Sequence, residues 1–101
     1  MVEVAGQVWG YGVIRHDFYG RSFLELVYVA ADRRGQGLGP QLMRFLETRS
    51  RSADFFTSTN ESNRHMRYVL EKLGYECSGV IHNLDPGDAE LVYVKHLVAG
   101  Y

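Results

Sequence analysis

The residues best suited to chemistry lie in one short stretch: Arg34, Gly35, Gln36, Gly37, Leu38 and Gly39. Three glycines at alternating positions follow a pair of arginines, Arg33 and Arg34. Glycine has no Cβ, so successive backbone N–H groups can turn toward a single anion. A helix starting behind them would add the positive end of its dipole. Residues 29–39 are therefore expected to cradle a pyrophosphate. The plainer reading is a glycine-rich turn without a ligand. A second candidate is Glu25, the only charge in the apolar run 23–29. Strand alternation would place it on the face of Val27 and Val29. There a carboxylate could serve as a general base; the alternative is a partly solvated glutamate paired with Arg15 or His16.

The remaining reactive types read blandly. His16, His65, His82 and His96 show no ligand spacing such as His-x-x-x-His, so no metal site is expected. His65 reads as a solvated helix residue. Cys77 is the only cysteine and reads as a small buried residue, which rules out a disulfide framework. The acidic stretch 85–90 reads as a solvated hairpin tip.

Several elements must position these groups. Residues 2–4 are apolar and 5–7 read as a turn. Residues 8–15 read as a strand, with Val8, Gly10, Gly12 and Ile14 on one face and Trp9, Tyr11 and Val13 on the other. Two glycines inside a strand imply a bulge or a close backbone approach. Residues 16–22, with Asp17 and Gly20, read as a hairpin loop. The run 23–29 is apolar on both faces, as in a central strand. Beyond the glycines, Leu38, Leu42, Phe45 and Leu46 recur at helical spacing, Pro40 suits a first turn, and Glu47 would pair with Arg51. Residues 55–57 form a short strand. Ser62 or Asn60 would cap a second helix with an apolar stripe of Met66, Leu70 and Leu73, stopped at Gly74. Residues 75–82 and 89–98 alternate as strands around a turn at 83–88. The class is α+β: one mixed, mostly antiparallel sheet with two helices, as a single domain over residues 1–101.

The composition narrows the function. A formal net charge of -1 gives no pull toward nucleic acid or an anionic membrane. No apolar run approaches the ~20 residues that span a bilayer. A lone cysteine fits a reduced, cytoplasmic setting. Among phosphate-binding motifs, a Walker A loop needs Lys-Ser/Thr after its last glycine, and here Pro40 and Gln41 follow. The dinucleotide fingerprint needs G-x-G-x-x-G, whereas Gly35, Gly37 and Gly39 give G-x-G-x-G. The pattern Arg/Gln-x-x-Gly-x-Gly/Ala is matched by residues 34–39. A nucleotide-binding domain is the weakest of the functional readings.

Two ordered segments carry a family resemblance. Residues 27–39 and the run Asn-Arg-His-Met-Arg-Tyr-Val-Leu-Glu-Lys-Leu-Gly-Tyr at 63–75 resemble the two signatures of the GNAT (GCN5-related N-acetyltransferase) superfamily. The resemblance covers residues 2–97. It implies acetyl-CoA as donor, transfer of an acetyl group to a primary amine by direct attack, and a splayed strand pair ending near Val29 and Thr57. It implies that backbone groups of Val27, Tyr28 and Val29 align the pantetheine arm. Arg34, Gly35, Gln36, Gly37, Leu38 and Gly39 would hold the pyrophosphate, with Pro40 lacking an amide to give, and Asn63 would touch the arm. Glu25 matches a strand glutamate that some members use as base. The family's acid tyrosine is replaced by Leu70, and Tyr68 points elsewhere on the helix. That departure keeps a non-catalytic CoA-binding or oligomerisation module as the alternative. The chain begins at the family's second strand, without the usual first strand and two helices. Three explanations compete, a truncated product or misassigned start, a naturally minimal member, or a homodimer whose partner covers apolar residues such as Trp9, Val13 and Phe18, and the homodimer is the favoured expectation.

Overall fold

The computed structural model describes residues 2–97. Strands β1 (Val2–Gln7), β2 (Gly10–Phe18), β3 (Arg21–Val29), β4 (Asp54–Asn60), β5 (Glu76–Asp85) and β6 (Asp88–His96) form one sheet. Its order is β1-β2-β3-β4-β6-β5. Only β3 and β4 run parallel, and helix α1 (Leu38–Glu47) makes the crossover between them. Helix α2 (Arg64–Lys72) connects β4 to the final hairpin. The α+β class, the single mixed sheet and the central place of β3 agree with the sequence reading. No described helix is long and apolar enough to cross a membrane.

Alternation decides which side chains are buried. Gly12, Ile14, Leu24, Phe55 and Tyr93 face the helices, and Leu42, Met43, Leu46 and Leu70 meet them. Gly12 explains a strand glycine: a Cβ there would lie 2.5 Å from a methyl of Leu46. The close approach rotates α1 so that Met43 is buried, while Phe45, expected in the stripe, is 36% exposed. Trp9 is half-buried against the core rather than bare.

Several local expectations are corrected, some of them because a polar side chain finds a distant partner. Residues 5–7 extend β1, and the turn falls at Val8 and Trp9. The hairpin loop expected at 16–22 shrinks to Tyr19 and Gly20, both at positive φ. His16 can stay in β2 because its Nδ1 lies 2.7 Å from Ser22 Oγ and its Nε2 lies 2.8 Å from Glu3. Strand β4 is longer than 55–57, since Ser58 donates to Glu90 (2.7 Å) and Asn60 to Asp85 (2.8 Å). Asp85, Asp88 and Glu90 thus accept hydrogen bonds, while the tip itself, 85–87, is exposed as expected. Helix α1 ends at Glu47, so no turn of helix carries it to Arg51. Glu47 instead accepts from Tyr75 Oη (2.7 Å) and Lys95 Nζ (3.1 Å). Burial and the adjacent Glu47 carboxylate push the Tyr75 hydroxyl well above the usual tyrosine range. Cys77 is exposed at the edge strand β5, not buried. Val98, at the end of the last expected strand, lies outside the described residues.

Candidate functional site

Strand β3 divides into two halves. Its bridges to β4 run from Ser22 to Leu24, ending at the pair Leu24 and Thr57. Beyond that pair both strands continue, β3 to Val29 and β4 to Asn60, without bridging each other. The backbone groups of β3 that face β4 therefore have no strand partner along Val27, Tyr28 and Val29, and of these the Val29 carbonyl accepts from Arg34.

The divergence coincides with a bulge. Val13 pairs with Leu26 and Ile14 with Leu24, so Glu25 is the extra residue. The bulge reverses the alternation: Ser22 and Leu24 are buried before it, and Val27 and Val29 pack against the core after it. Glu25 is therefore not on the face of Val27 and Val29, because parity counting fails across an inserted residue. Its carboxylate is about half exposed (46%) and accepts from Arg15 Nη1 at 3.2 Å. Arg15 also donates to both oxygens of Asp17, at 2.7 and 3.1 Å. That hydrogen bond above all holds the Asp17 carboxyl down to about 2. The two carboxylates push the guanidinium up, Asp17 more than Glu25.

On the helix side of the open half lies a cleft of about 660 Å³. Val27, Tyr28, Val29, Arg34, Gly35, Gly37, Gly39 and Asn63 all border it. Gln36 and Leu38 do not: Gln36 donates back to the Asp32 carbonyl at 3.2 Å, and Leu38 is half-buried at the start of α1. Gly37 is the N-cap of α1 at φ 73, and Gly35 has φ 79. A Cβ at Gly35, Gly37 or Gly39 would meet nothing within 4 Å, so the space over the loop is open. The first amides of α1 have no intrahelical acceptor, and Pro40 has no amide at all. Arg34 is held in place, donating to the Val29 carbonyl at 2.9 Å with its guanidinium 5.5 Å from the Tyr28 ring centroid.

The second helix closes the cleft. Asn63, not Asn60 or Ser62, caps α2, its Oδ1 accepting from the Met66 amide at 3.1 Å. Asn60 and Ser62 are taken by Asp85 and Asp88 of the final hairpin. The cap uses the Asn63 oxygen and leaves its amide nitrogen for a ligand. Pro40, Met43, His65, Met66 and Val69 also border the cleft. Met66 and Val69 were readable from helical spacing beyond Asn63, three residues at a time. Leu70 is fully buried, so that helix position brings no hydroxyl to the cleft. Tyr68 is 60% exposed with Lys72 Nζ 5.7 Å from its ring centroid. Among the described residues no group of three His, Cys, Asp or Glu could hold a metal ion.

Comparison with known proteins gives a consistent match. The family model described as "Acetyltransferase (GNAT) family" matches residues 1–75. A crystal structure of a GNAT-family acetyltransferase from Bacillus cereus ATCC 10987 is 28% identical with a TM-score of 0.84, covering 94% of this chain and 69% of that one. A structure from Bacillus anthracis str. Ames, solved in complex with acetyl coenzyme A, is 16% identical with a TM-score of 0.80, covering 91% and 57%. The ribosomal-protein-S18-alanine N-acetyltransferase from Escherichia coli is 21% identical with a TM-score of 0.76, covering 94% and 66%. This chain thus spans between 57% and 69% of those three. Among curated protein sequences no match was found.

Proposed function

The chain belongs to the GNAT acetyltransferase family, whose acyl donor is acetyl-CoA, and from that premise we propose that it transfers an acetyl group from acetyl-CoA to a primary amine by direct attack. The observation that carries this reading is the continuity of the cleft, which joins the open edge of β3 to the glycine loop. A long molecule with an anionic middle and an extended amide arm fits such a shape. The amides near Gly35, Gln36, Gly37, Leu38 and Gly39 would take the pyrophosphate, with Arg34 beside them. Val27, Tyr28 and Val29 would pair with the amide arm as a missing strand does. Asn63 would donate from its free nitrogen.

Acetyl-CoA supplies an activated acyl group, whose C–S bond is exchanged for an amide N–C bond. This chain's residues must orient the acyl group and accept a proton from the ammonium of the acceptor. Glu25 is the proposed base. It is the first residue past the last β3–β4 bridge, so it stands where the strand gap opens. The buried Leu70 favours a second reading, a CoA-binding module without turnover. The open edge β1, with Val2 and Val4 exposed, supports a homodimer; a well-folded monomer in sedimentation at high dilution would remove that part.

Release of free thiol from acetyl-CoA across a panel of primary amines tests the main reading. Turnover is expected. Glu25→Gln should lower kcat about 10²-fold or more and alter the pH profile, leaving the Kd for CoA within about twofold. CoA binding with no turnover on any amine would select the module instead. An unchanged profile in the variant would dismiss Glu25 as the base.

A further inference from the structure

Thr57 puts a hydroxyl where packing does not ask for one. It lies on the helix face of β4 and is 3% exposed. Its cross-strand partners are Leu24 on β3 and Tyr93 on β6, and Phe55 precedes it on the same face. All three are buried in the core. Valine has nearly the shape of threonine without the hydroxyl, and it would suit these neighbours. A buried hydroxyl destabilises the fold unless it is hydrogen-bonded. Here the bond crosses to the next strand: Thr57 Oγ1 donates to the Leu24 carbonyl at 3.0 Å.

The carbonyl it holds stands at a decisive place. Leu24 is the last residue of β3 bridged to β4, and the next residue, Glu25, is the bulge. The Leu24 carbonyl and the Glu25 amide belong to one planar peptide unit. Fixing that carbonyl fixes the plane from which Glu25 departs. A bulge leaves its extra residue unpaired and the ladder locally disrupted, so an anchor from a third strand matters there. The Glu25 side chain has an anchor of its own, since its carboxylate accepts from Arg15 of β2 at 3.2 Å. Arg15 thus holds the head of Glu25 and Thr57 holds the backbone at its root. Thr57 does not border the donor cleft, so its hydroxyl acts through the strand it holds.

We propose that Thr57 is a positioning residue, whose hydroxyl holds the Leu24–Glu25 peptide in the bulged conformation that presents the Glu25 carboxylate at the strand gap. The effect on turnover rests on the reading of Glu25 as the base, but the hold on the peptide is measured without substrate. The two would fail differently.

Thr57→Val keeps the shape and deletes the hydroxyl, whereas Thr57→Ser keeps the hydroxyl and deletes a methyl. Thr57→Ser and Thr57→Ala differ by the hydroxyl alone, and they repeat the comparison in a smaller side chain. If Thr57 supplied packing only, Thr57→Val would be the milder change. In proton–nitrogen correlation spectra of the full chain, the Glu25 amide resonance is expected to move in Thr57→Val and Thr57→Ala and to stay near its parent position in Thr57→Ser. In turnover with acetyl-CoA and a primary amine, Thr57→Val should lower kcat about tenfold to a hundredfold. It should leave the KM for acetyl-CoA within about twofold. Thr57→Ser should keep kcat within about threefold, even where its urea midpoint falls. An unmoved Glu25 amide in Thr57→Val and Thr57→Ala, or equal movement in Thr57→Ser and Thr57→Ala, would overturn the proposal whatever the turnover. Full kcat in Thr57→Val beside a loss in Glu25→Gln would overturn the positioning role and leave Glu25 as the base. A moved amide in Thr57→Val beside full turnover in Glu25→Gln would overturn Glu25 as the base and leave Thr57 as the anchor of the bulge.

Discussion

The two halves of β3 have opposite characters, although they belong to one nine-residue strand. From Arg21 to Leu24 it has a strand neighbour on each side, Phe23 and Leu24 being bridged to β2 and β4 at once, and its inward residues Ser22 and Leu24 are 1% and 2% exposed. The polar groups there are closed into a chain. Arg51 donates to Ser22 Oγ (2.9 Å), Ser22 meets His16, His16 meets Glu3, and Arg49 donates to Glu3 (2.6 Å). From Leu26 to Val29 the strand is bridged to β2 only, Leu26 is 49% exposed, and the edge toward β4 has no strand partner, the Val29 carbonyl accepting from Arg34. The bulge at Glu25 is the boundary. A fold that must leave a strand edge unpaired for a ligand gives up ladder bonds there, and the anchoring has to come from the other half.

Packing gives the sharpest way to break this contrast. Leu24→Ala should cost about 2–5 kcal/mol of stability, because it opens a cavity between β3 and the helices. Leu26→Ala, two residues on, should cost about 1 kcal/mol or less. Urea midpoints of the two variants test the pair, and equal losses would abolish the distinction between the halves. The glycine loop gives a smaller effect on stability and an effect on binding. Gly37→Ala forces a Cβ into a left-handed residue at φ 73, worth about 1–2 kcal/mol locally, and points a methyl into the open space above the loop. It should weaken acetyl-CoA binding about tenfold. An unchanged affinity would take the loop out of the donor site.

What could be read beforehand divides along the same line. The glycine turn and the second helix were legible because they depend on residue types at short spacing. The order of elements was legible from periodicity. The side of the sheet that Glu25 occupies was not, since strand parity holds only while no residue is inserted, and a bulge leaves no signature in seven apolar-rich residues. The cap of α2 was expected at Ser62 or Asn60 rather than Asn63 because the partners that take those two, Asp88 and Asp85, lie more than twenty residues away in a hairpin. The exposed Phe45 and buried Met43 follow from the close contact of α1 with Gly12, which sets the helix rotation and is a tertiary fact. Stop signals, by contrast, are local, and Gly74 at φ 94 ends α2 where expected.

The smallest effect concerns the charge at the end of the closed chain. Hydrogen bonding from His16 first, and from Arg49 against the opposing cost of burial, holds the Glu3 carboxyl below its ordinary value of 4.5. A carboxylate with a folded pKa below its unfolded one binds protons more readily when unfolded. Its stabilisation is therefore complete above pH 4.5 and is lost as the pH falls through the folded value. Glu3→Gln keeps a hydrogen-bonding side chain but removes the titration. The variant should be less stable than the parent at pH 7, and the two stability curves should converge as the solution is acidified below pH 4.5. Other carboxylates, Asp17 among them, titrate in both proteins and cancel in the difference. Acetyl-CoA affinity at pH 7 should be the same in both, because Glu3 bonds to His16 and Arg49, neither of which borders the cleft. Parallel curves down to acid pH would mean that the chain from Arg51 to Glu3 is held by neutral hydrogen bonds alone. A loss of acetyl-CoA affinity would mean that the two halves are mechanically coupled through the bulge.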